Sequence, residues 1–203
     1  MVNVHKDKYA LCLLILFVLF WIIMAIAPTY RLIWAVENVL PVVAVLFLFA
    51  TYRKFSFSTW SYTLIFLLLV LHTIGSHYSY SEMPLFDALK EPLGFERNNY
   101  DRIVHLFSGF VLFFPLYEYF DHKLKVPAKW SAFFAVATVL SIAAFYEMIE
   151  FAAVAWTEDL SENFLGMQGD IFDTQIDMFL GLLGSLVGWV TIGLKKGSQI
   201  LRP

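Results

Sequence analysis

The sequence predicts an all-α protein, a membrane-embedded bundle of six transmembrane helices in a single domain over residues 1–203. Only 15% of the residues are charged and 60% are hydrophobic, whereas a soluble domain carries roughly 25% charged residues. Mean hydropathy is +0.69. The apolar runs are close to the ~20 residues that cross a bilayer as a helix, and longer than the ~9–11 residues of a barrel strand. These observations indicate a polytopic membrane protein.

Six apolar runs follow one another along the chain: residues 9–27, 32–52, 59–75, 101–120, 130–156 and 176–194. The first run follows Lys6 and Lys8, so it also fits a secretory signal peptide. It is longer than the usual apolar core of about 7–15 residues, which favours an uncleaved helix. Pro41 predicts a bend in the second run, because proline removes a helical hydrogen bond. Residues 84–90 predict a short interfacial helix.

The basic residues predict that both termini are cytoplasmic. In that orientation the inner segments hold Lys6, Lys8, Arg53, Lys54, Lys123, Lys125, Lys129, Lys195, Lys196 and Arg202. The outer segments hold Arg31, Lys90, Arg97 and Arg102. An excess of lysine and arginine marks the cytoplasmic side of a membrane protein, so this orientation is favoured.

Helix direction then brings many acids and histidines to one side of the bilayer. The second, fourth and sixth runs begin at the outer face, and the third and fifth end there. The residues concerned are Glu37, His72, His77, Asp101, His105, Glu147, Glu150, Asp170, Asp173 and Asp177. Ionisable groups in such segments are expensive unless they are paired or face a polar cavity. The sequence therefore predicts a polar site beneath the outer surface.

Helical spacing refines this prediction. Three pairs share a helix face: Asp101 with His105, Glu147 with Glu150, and Asp173 with Asp177. Glycines continue two of these faces: Gly181, Gly184 and Gly188 after Asp177, and Gly109 after His105. Small residues at this spacing allow helices to approach closely. The pattern predicts a packed helix seam with the polar groups at its mouth.

The same residues have structural alternatives. Glu37 fits an interfacial carboxylate, and His72 and His77 fit hydrogen bonds to loop carbonyls. Asp101, Asp170 and Asp173 fit helix caps, a common role for aspartate. Glu118, with Lys123 and Lys125 nearby, is interpreted as a surface charge. Glu147 and Glu150 resist such an explanation, because they lie several residues inside an apolar run.

Four segments resemble the YjdF family of bacterial inner-membrane proteins: LHTIGSHYSYSEMP, NNYDRIVHLFSGF, FYEMIEF and GMQGDIFDTQIDMFLGLLG. The resemblance covers most of the chain from Glu37 to Gly184. It implies a multi-pass protein of the bacterial inner (plasma) membrane and implies no particular chemistry. The DRIVH segment, the helical glutamate and the aspartate-rich turn are more distantly similar to VanZ-like proteins, which are linked to glycopeptide-antibiotic resistance. Those usually pair the glutamate with glutamine, where this chain has Glu150.

Our first functional hypothesis is a metal-dependent membrane enzyme, a hydrolase or transferase acting on a lipid or lipid-linked molecule. Imidazole and carboxylate groups bind zinc, manganese or iron. The candidate metal ligands are His72, His105, Asp173 and Asp177. The candidate catalytic residues are Glu147 and Glu150, one of them as general base. Glu37, His77, Asp101 and Asp170 complete the predicted polar cluster.

Two other hypotheses stay open. Intramembrane acids and histidines also serve proton- or cation-coupled transporters and binding proteins. A membrane scaffold or accessory subunit would use carboxylates paired with Arg97 or Arg102 to hold the outer loops. Membrane lipids are the expected partners, and no basic tract indicates nucleic-acid binding. The sequence contains no cofactor-binding motif, and oligomeric state does not follow from it.

Overall fold

A computed structural model describes residues 4–156 and 168–194, and every regular element within those two ranges is helical. Six helical segments there are long and apolar enough to cross a membrane. The predicted fold class is therefore confirmed. Lys195, Lys196 and Arg202, which contributed to the predicted orientation, lie outside the described residues. The cytoplasmic placement of both termini stays a prediction.

The helices follow the predicted runs closely. They are α1 (Val4–Met24), α2 (Arg31–Glu37), α3 (Val39–Thr51), α4 (Thr59–Tyr78), α5 (Pro84–Leu93), α6 (Tyr100–Glu118), α7 (Ala128–Trp156) and α8 (Asp173–Leu194). A 3₁₀ turn (Tyr80–Glu82) precedes α5, and a π-helical turn (Tyr119–Lys123) follows α6. The short helix predicted between the third and fourth spans is confirmed as α5. It begins at a proline and ends at Gly94, whose φ of 67° suits glycine.

The second membrane segment is broken at Asn38, between α2 and α3. Pro41 has no amide hydrogen and its ring crowds the carbonyl four residues earlier, which belongs to Glu37. The predicted bend is confirmed, and it falls three residues before the proline. The Asn38 side chain accepts a hydrogen bond from the Trp21 indole at 2.6 Å and donates one to the Ser76 hydroxyl at 3.0 Å. The break thereby joins α1 and α4 to the second segment.

The most extensive contact between two helices is the seam between α6 and α8. At its centre Gly109 faces Gly181 so closely that a Cβ atom on Gly109 would overlap the Gly181 carbonyl. One turn further, a Cβ atom on Gly184 would overlap the Leu106 carbonyl. The predicted glycine seam is therefore confirmed, and the two backbones touch because these positions lack side chains.

An apolar core lies further along α6, towards its C-terminal end. Phe113 is fully buried, and a Cβ atom on Gly188 would lie 2.8 Å from its ring. The rest of this core comes from α4, α6 and α7: Leu64, Val111, Phe114, Ala132, Ala135 and Val136. Apolar side chains of α4, α6 and α7 thus pack together in the half of the bundle away from Asp101 and His105.

Glu118 was predicted to be a surface charge, and that prediction is wrong. The residue is only 1% exposed. Its carboxylate accepts hydrogen bonds from the Ser58 amide at 2.8 Å, from the Ser58 hydroxyl and from the Ser61 hydroxyl at 2.6 Å. Ser58 is the N-cap of α4, where the helix dipole favours a negative charge. Glu118 therefore ties the end of α6 to the start of α4.

We expect Gly109→Ala to lower the stability of the protein by about 1–3 kcal/mol, the usual cost of overpacking. The added methyl group would push α8 away from α6. Thermal unfolding in mild detergent measures the effect. Gly193→Ala is the matched control, because a Cβ atom at Gly193 meets no other atom within 4 Å among the described residues. Equal melting temperatures for the two variants would contradict the close seam.

We expect Glu118→Gln to lower the free energy of unfolding by about 1–3 kcal/mol, because one acceptor oxygen is replaced by an amino group facing buried donors. Thermal unfolding is again the measurement. Asp121→Asn, three residues further on and only partly buried, serves as the control. A melting temperature unchanged by Glu118→Gln and by Glu118→Ala would show that this buried carboxylate contributes nothing.

Candidate functional site

Four side chains from three helices meet at one end of the bundle, and we call them the carboxylate–imidazole cluster: Asp101 and His105 of α6, Glu147 of α7 and Asp177 of α8. The ligand atoms of Asp101, His105 and Asp177 lie within 4.8 Å of one another. His105 Nε2 lies 3.4 Å from Asp101 Oδ1 and 3.7 Å from Glu147 Oε1. The predicted convergence of these residues is confirmed.

Two carboxylate oxygens of the cluster are buried without a hydrogen bond. Glu147 is 6% exposed and Asp177 is 2% exposed. Glu147 Oε1 and Asp177 Oδ1 have no hydrogen-bond partner among residues 4–156 and 168–194. Burying a carboxylate oxygen without a partner costs several kcal/mol or more. Such atoms indicate a place that receives a cation, a proton or a polar ligand.

The cluster fits a divalent metal ion. Two ligand atoms at ~2.0–2.2 Å from a metal lie at most ~4.4 Å apart, so small side-chain rotations would bring the three ligand atoms onto one ion. One imidazole and two carboxylates suit zinc, manganese or iron. His105 and Asp177 were predicted as metal ligands, and Asp101, predicted only as a member of the polar cluster, lies with them in this group. His72 and Asp173, also predicted as ligands, have other partners.

Both ring nitrogens of His72 are engaged in hydrogen bonds. Nε2 lies 3.0 Å from the Glu37 carbonyl, which the Pro41 break leaves without a helical partner. Because a carbonyl only accepts, Nε2 carries the hydrogen and Nδ1 accepts from the Tyr80 hydroxyl at 2.6 Å. Burial raises the pKa of Tyr80 well above its ordinary value, so the phenol stays protonated. His72 therefore bonds a backbone carbonyl, as its structural alternative proposed, although this carbonyl belongs to the last residue of α2 and not to a loop.

A second polar group surrounds Tyr146 and adjoins the cluster. The Tyr146 hydroxyl donates to Glu37 Oε2 at 2.9 Å, and its side chain also contacts Glu150, one turn further along α7. Its ring packs edge-on against His105, with the centroids 5.9 Å apart. Glu37 is buried and lies 3.6 Å from His72 Nε2, so its carboxylate faces other polar groups of the protein.

Two arginines hold the segment that leads into α8. Arg97 pairs with Asp173, and Arg102 pairs with Asp170. The Gln168 side chain accepts from the Asn98 amide at 2.8 Å and donates to the Asn98 carbonyl at 3.0 Å. These links bind the loop before α6 to the start of α8, as the scaffold hypothesis proposed for Arg97 and Arg102.

Two further members of the predicted cluster have structural roles. The Asp170 carboxylate accepts from the Phe172 amide at 2.9 Å, so it caps the turn before α8. That amide, together with Arg102, holds the pKa of Asp170 below its usual range. His77 Nδ1 donates to the Met24 carbonyl at 2.8 Å, which fixes the end of α1. The structural alternative for Asp170 is therefore confirmed, and His77 bonds a backbone carbonyl at the end of a helix where a loop carbonyl was expected.

An apolar cavity of about 560 Å³ adjoins the cluster, between α3, α4, α6 and α7. His72, Tyr80, Asp101, His105 and Tyr146 line one end of it. The remaining wall is almost entirely aliphatic and aromatic. Through Asp101 and His105, the cluster thus borders the polar end of an apolar space within the membrane-spanning part of the protein.

Sequence reasoning missed two tyrosines of this region. Tyr146 is four residues before Glu150, so helical spacing alone could have placed it on the same face. The sequence signal for Tyr80 is Gly75, a glycine inside an apolar helical run, which indicates that another group approaches closely. In the structure that group is the Tyr80 ring, which would lie 2.6 Å from a Cβ atom at Gly75. The glycine allows the Tyr80 ring to fold back onto α4 and to reach His72.

Among the described residues, six helical segments are long and apolar enough to cross a membrane, and a buried polar cluster lies at one end of them. These features define an integral membrane protein. Residues 9–196 match the family described as "Predicted membrane protein (DUF2238)", and the chain belongs to this family. It is similar to inner membrane protein YjdF of Escherichia coli strain K12, with 37% identity over 157 residues, covering 77% of this chain and 75% of the relative. No solved structure matches the chain. The expected YjdF resemblance and the multi-pass inner-membrane location are confirmed.

We expect Asp170→Asn to remove part of the acid sensitivity of the protein. Because the folded pKa of Asp170 is lowered, its stabilising contribution is present above the unfolded value of about 3.9 and is lost as pH falls through the folded value. The melting temperature of the variant should lie below that of the wild type at neutral pH, and the two should converge under acid. Glu91→Gln, at an exposed site, is the control. A gap that stays constant with pH would contradict this role.

Proposed function

We propose that this protein is a metal-dependent membrane hydrolase or transferase that acts on a lipid or lipid-linked molecule. The observation that carries this proposal is the carboxylate–imidazole cluster itself. Two of its buried carboxylate oxygens lack hydrogen-bond partners in the described part of the chain, and two of its members, Asp101 and His105, line the polar end of an apolar cavity. A binding site for an amphipathic substrate needs both features.

Asp101, His105 and Asp177 are the proposed ligands of one divalent ion. Such an ion, when bound, lowers the pKa of a water molecule and polarises a carbonyl or phosphoryl oxygen. Asp101 and Asp177 supply negative charge for the ion, and His105 supplies a neutral nitrogen. Since Asp101 also lies 3.4 Å from His105 Nε2, ion binding would exchange this contact for coordination.

Glu147 is the proposed general base. Its Oε1 atom lies beside His105 and makes no hydrogen bond within the described chain, although the side chain also bonds to Thr174. In hydrolysis, Glu147 takes one proton from the attacking water while the water oxygen bonds to the carbonyl carbon or phosphorus. The bond to the leaving oxygen then breaks, and Glu147 returns the proton to that oxygen. In a transferase, an acceptor hydroxyl takes the place of water.

Glu150 was the other candidate base, and the geometry favours a positioning role for it. It contacts Tyr146, whose ring lies against His105 and whose hydroxyl binds Glu37. Glu37 and Glu150 therefore orient Tyr146, and Tyr146 orients the His105 imidazole. In this assignment the two glutamates of α7 have different roles because they contact different partners.

The two other functions fit the observations less well. A proton or cation path needs polar groups across the bundle, whereas the described cavity wall beyond Ser108 is apolar as far as Tyr119. A purely structural role accounts for Asp170 and Asp173, which are paired with arginines. It does not account for the Glu147 and Asp177 oxygens that lack hydrogen-bond partners in the described chain.

Elemental analysis of protein purified in mild detergent tests the proposal. We expect about one zinc, manganese or iron ion per chain, in keeping with a single ligand group. Asp177→Asn and His105→Gln should lose the metal. Glu147→Gln should keep it, since Glu147 is not a ligand, and the exposed-site variant Glu91→Gln should keep it as well.

A wild-type protein that takes up none of these ions, and whose melting temperature does not respond to them, would refute the metal-dependent enzyme. Proton or cation flux into liposomes carrying the protein would then favour transport. Loss of assembly with a partner in the Arg97→Gln variant, without any flux, would favour the scaffold.

A further inference from the structure

We infer that the cavity between α3, α4, α6 and α7 binds one hydrocarbon chain, which enters it from the membrane between α3 and α7. This inference rests on the proposed function only for the identity of the head group. The chain-binding site follows from the shape and lining of the cavity and from the packing of α3.

The cavity has the dimensions of a lipid chain. Its volume of about 560 Å³ lies within the range of ~300–1,000 Å³ found for ligand pockets. Asp101 and Pro115 both line it and both belong to α6. They are fourteen residues apart, which corresponds to about 21 Å at ~1.5 Å per residue. One leaflet is about 15 Å thick, half of the ~30 Å hydrocarbon core, so a single lipid chain fits lengthwise.

The lining residues determine in which direction a hydrocarbon chain would lie in the cavity. Asp101, His105 and Tyr146 form the polar end, and Leu112 and Leu116 line the opposite part. Water would find too few hydrogen-bonding partners in the apolar part, whereas hydrocarbon would regain the dispersion contacts that a void forfeits. A lipid would therefore place its head at the carboxylate–imidazole cluster and its tail along α6.

The loose packing of α3 explains why this space exists. Among the described elements, α3 makes more than slight contact only with α2. A second cavity of about 530 Å³ lies on its other side, against α1 and α4. Leu48 of α3, together with Ile65 and Leu69 of α4, borders both cavities. α3 is thus a thin wall that is attached to the bundle mainly through the break at Asn38.

The same helix marks the opening to the membrane. Phe47 of α3 lines the cavity and yet is 63% exposed, and Leu40 is exposed as well. Ile142 of α7 also lines the cavity and is exposed. Residues that both line the cavity and face outwards lie at its edge, so the space opens sideways between α3 and α7. A lipid chain can enter there without leaving the bilayer.

Photolabelling tests this inference. The probe is a primary alcohol of about sixteen carbons, a common length for a chain spanning one leaflet, with a diazirine at its last carbon. Its neutral hydroxyl head needs no metal. The protein is reconstituted into phosphatidylcholine vesicles, illuminated and digested, and labelled residues are located by mass spectrometry. We expect labels between Leu112 of α6 and Tyr119, the first residue after that helix. A second probe, with the diazirine beside the hydroxyl, should label near Ser108 and Tyr146.

Two tryptophan substitutions on α3 provide the matched comparison. Ala44→Trp should fill the cavity that Ala44 lines and reduce the α6 labelling by roughly tenfold, equivalent to about 1.4 kcal/mol. Leu46→Trp adds bulk to the same helix at a site that is 61% exposed and should leave the labelling unchanged. If Ala44→Trp does not fold, competition with unlabelled alcohol in the wild type decides. Saturable loss of α6 labelling supports the site, and unsaturable labelling overturns it.

The photolabelling experiment tests the chain-binding site independently of the elemental analysis, which tests the proposed metal-dependent enzyme. Labelling of α6 in Asp177→Asn, in protein without metal, would support the chain-binding site even if the proposed enzyme is refuted. Labels restricted to membrane-facing residues of α8 such as Leu183 and Val187, equally in Ala44→Trp and wild type, would overturn the inference whatever the metal content.

Discussion

The contact between the backbones of α6 and α8 is the constraint on which the rest of the structure depends. Gly109 meets Gly181 with no side chain between them. His105 lies one turn before Gly109, and Asp177 lies one turn before Gly181, so the same contact brings His105 close to Asp177. Apolar side chains gain little by leaving lipid for a helix interface. Close packing and polar pairing therefore hold this seam together.

The buried carboxylates of the protein divide into two kinds. Glu37, Glu118 and Asp173 have donors or arginines that satisfy them, and they connect one helix or loop to another. Glu147 and Asp177 each keep an oxygen without a hydrogen-bond partner in the described chain. Because both kinds are expensive to bury, the first kind is explained by the connections that it makes. The second kind supports our proposal of a reactive site.

The proline in the second membrane segment has effects well beyond its own helix. Pro41 leaves the Glu37 carbonyl without a helical partner, and His72 takes that place. The helix that continues after the break, α3, packs loosely and leaves a cavity on each side. A single backbone interruption thus fixes one histidine in a structural role. The same interruption precedes α3, the loosely packed helix beside the cavity that we propose for a lipid chain.

The sequence by itself determined the six spans, the glycine seam and the set of polar residues at one end, because hydropathy and helical spacing are local properties that tertiary packing did not override. Only the tertiary structure decided the partner of each polar residue. From the sequence, Glu118 is interpreted as a surface charge, but in the structure it accepts hydrogen bonds at the N-terminus of α4. Asp173 is predicted as a metal ligand, but in the structure it pairs with Arg97. Spacing shows which face a side chain occupies, whereas its role depends on which distant residue lies opposite, and that is settled by helix packing.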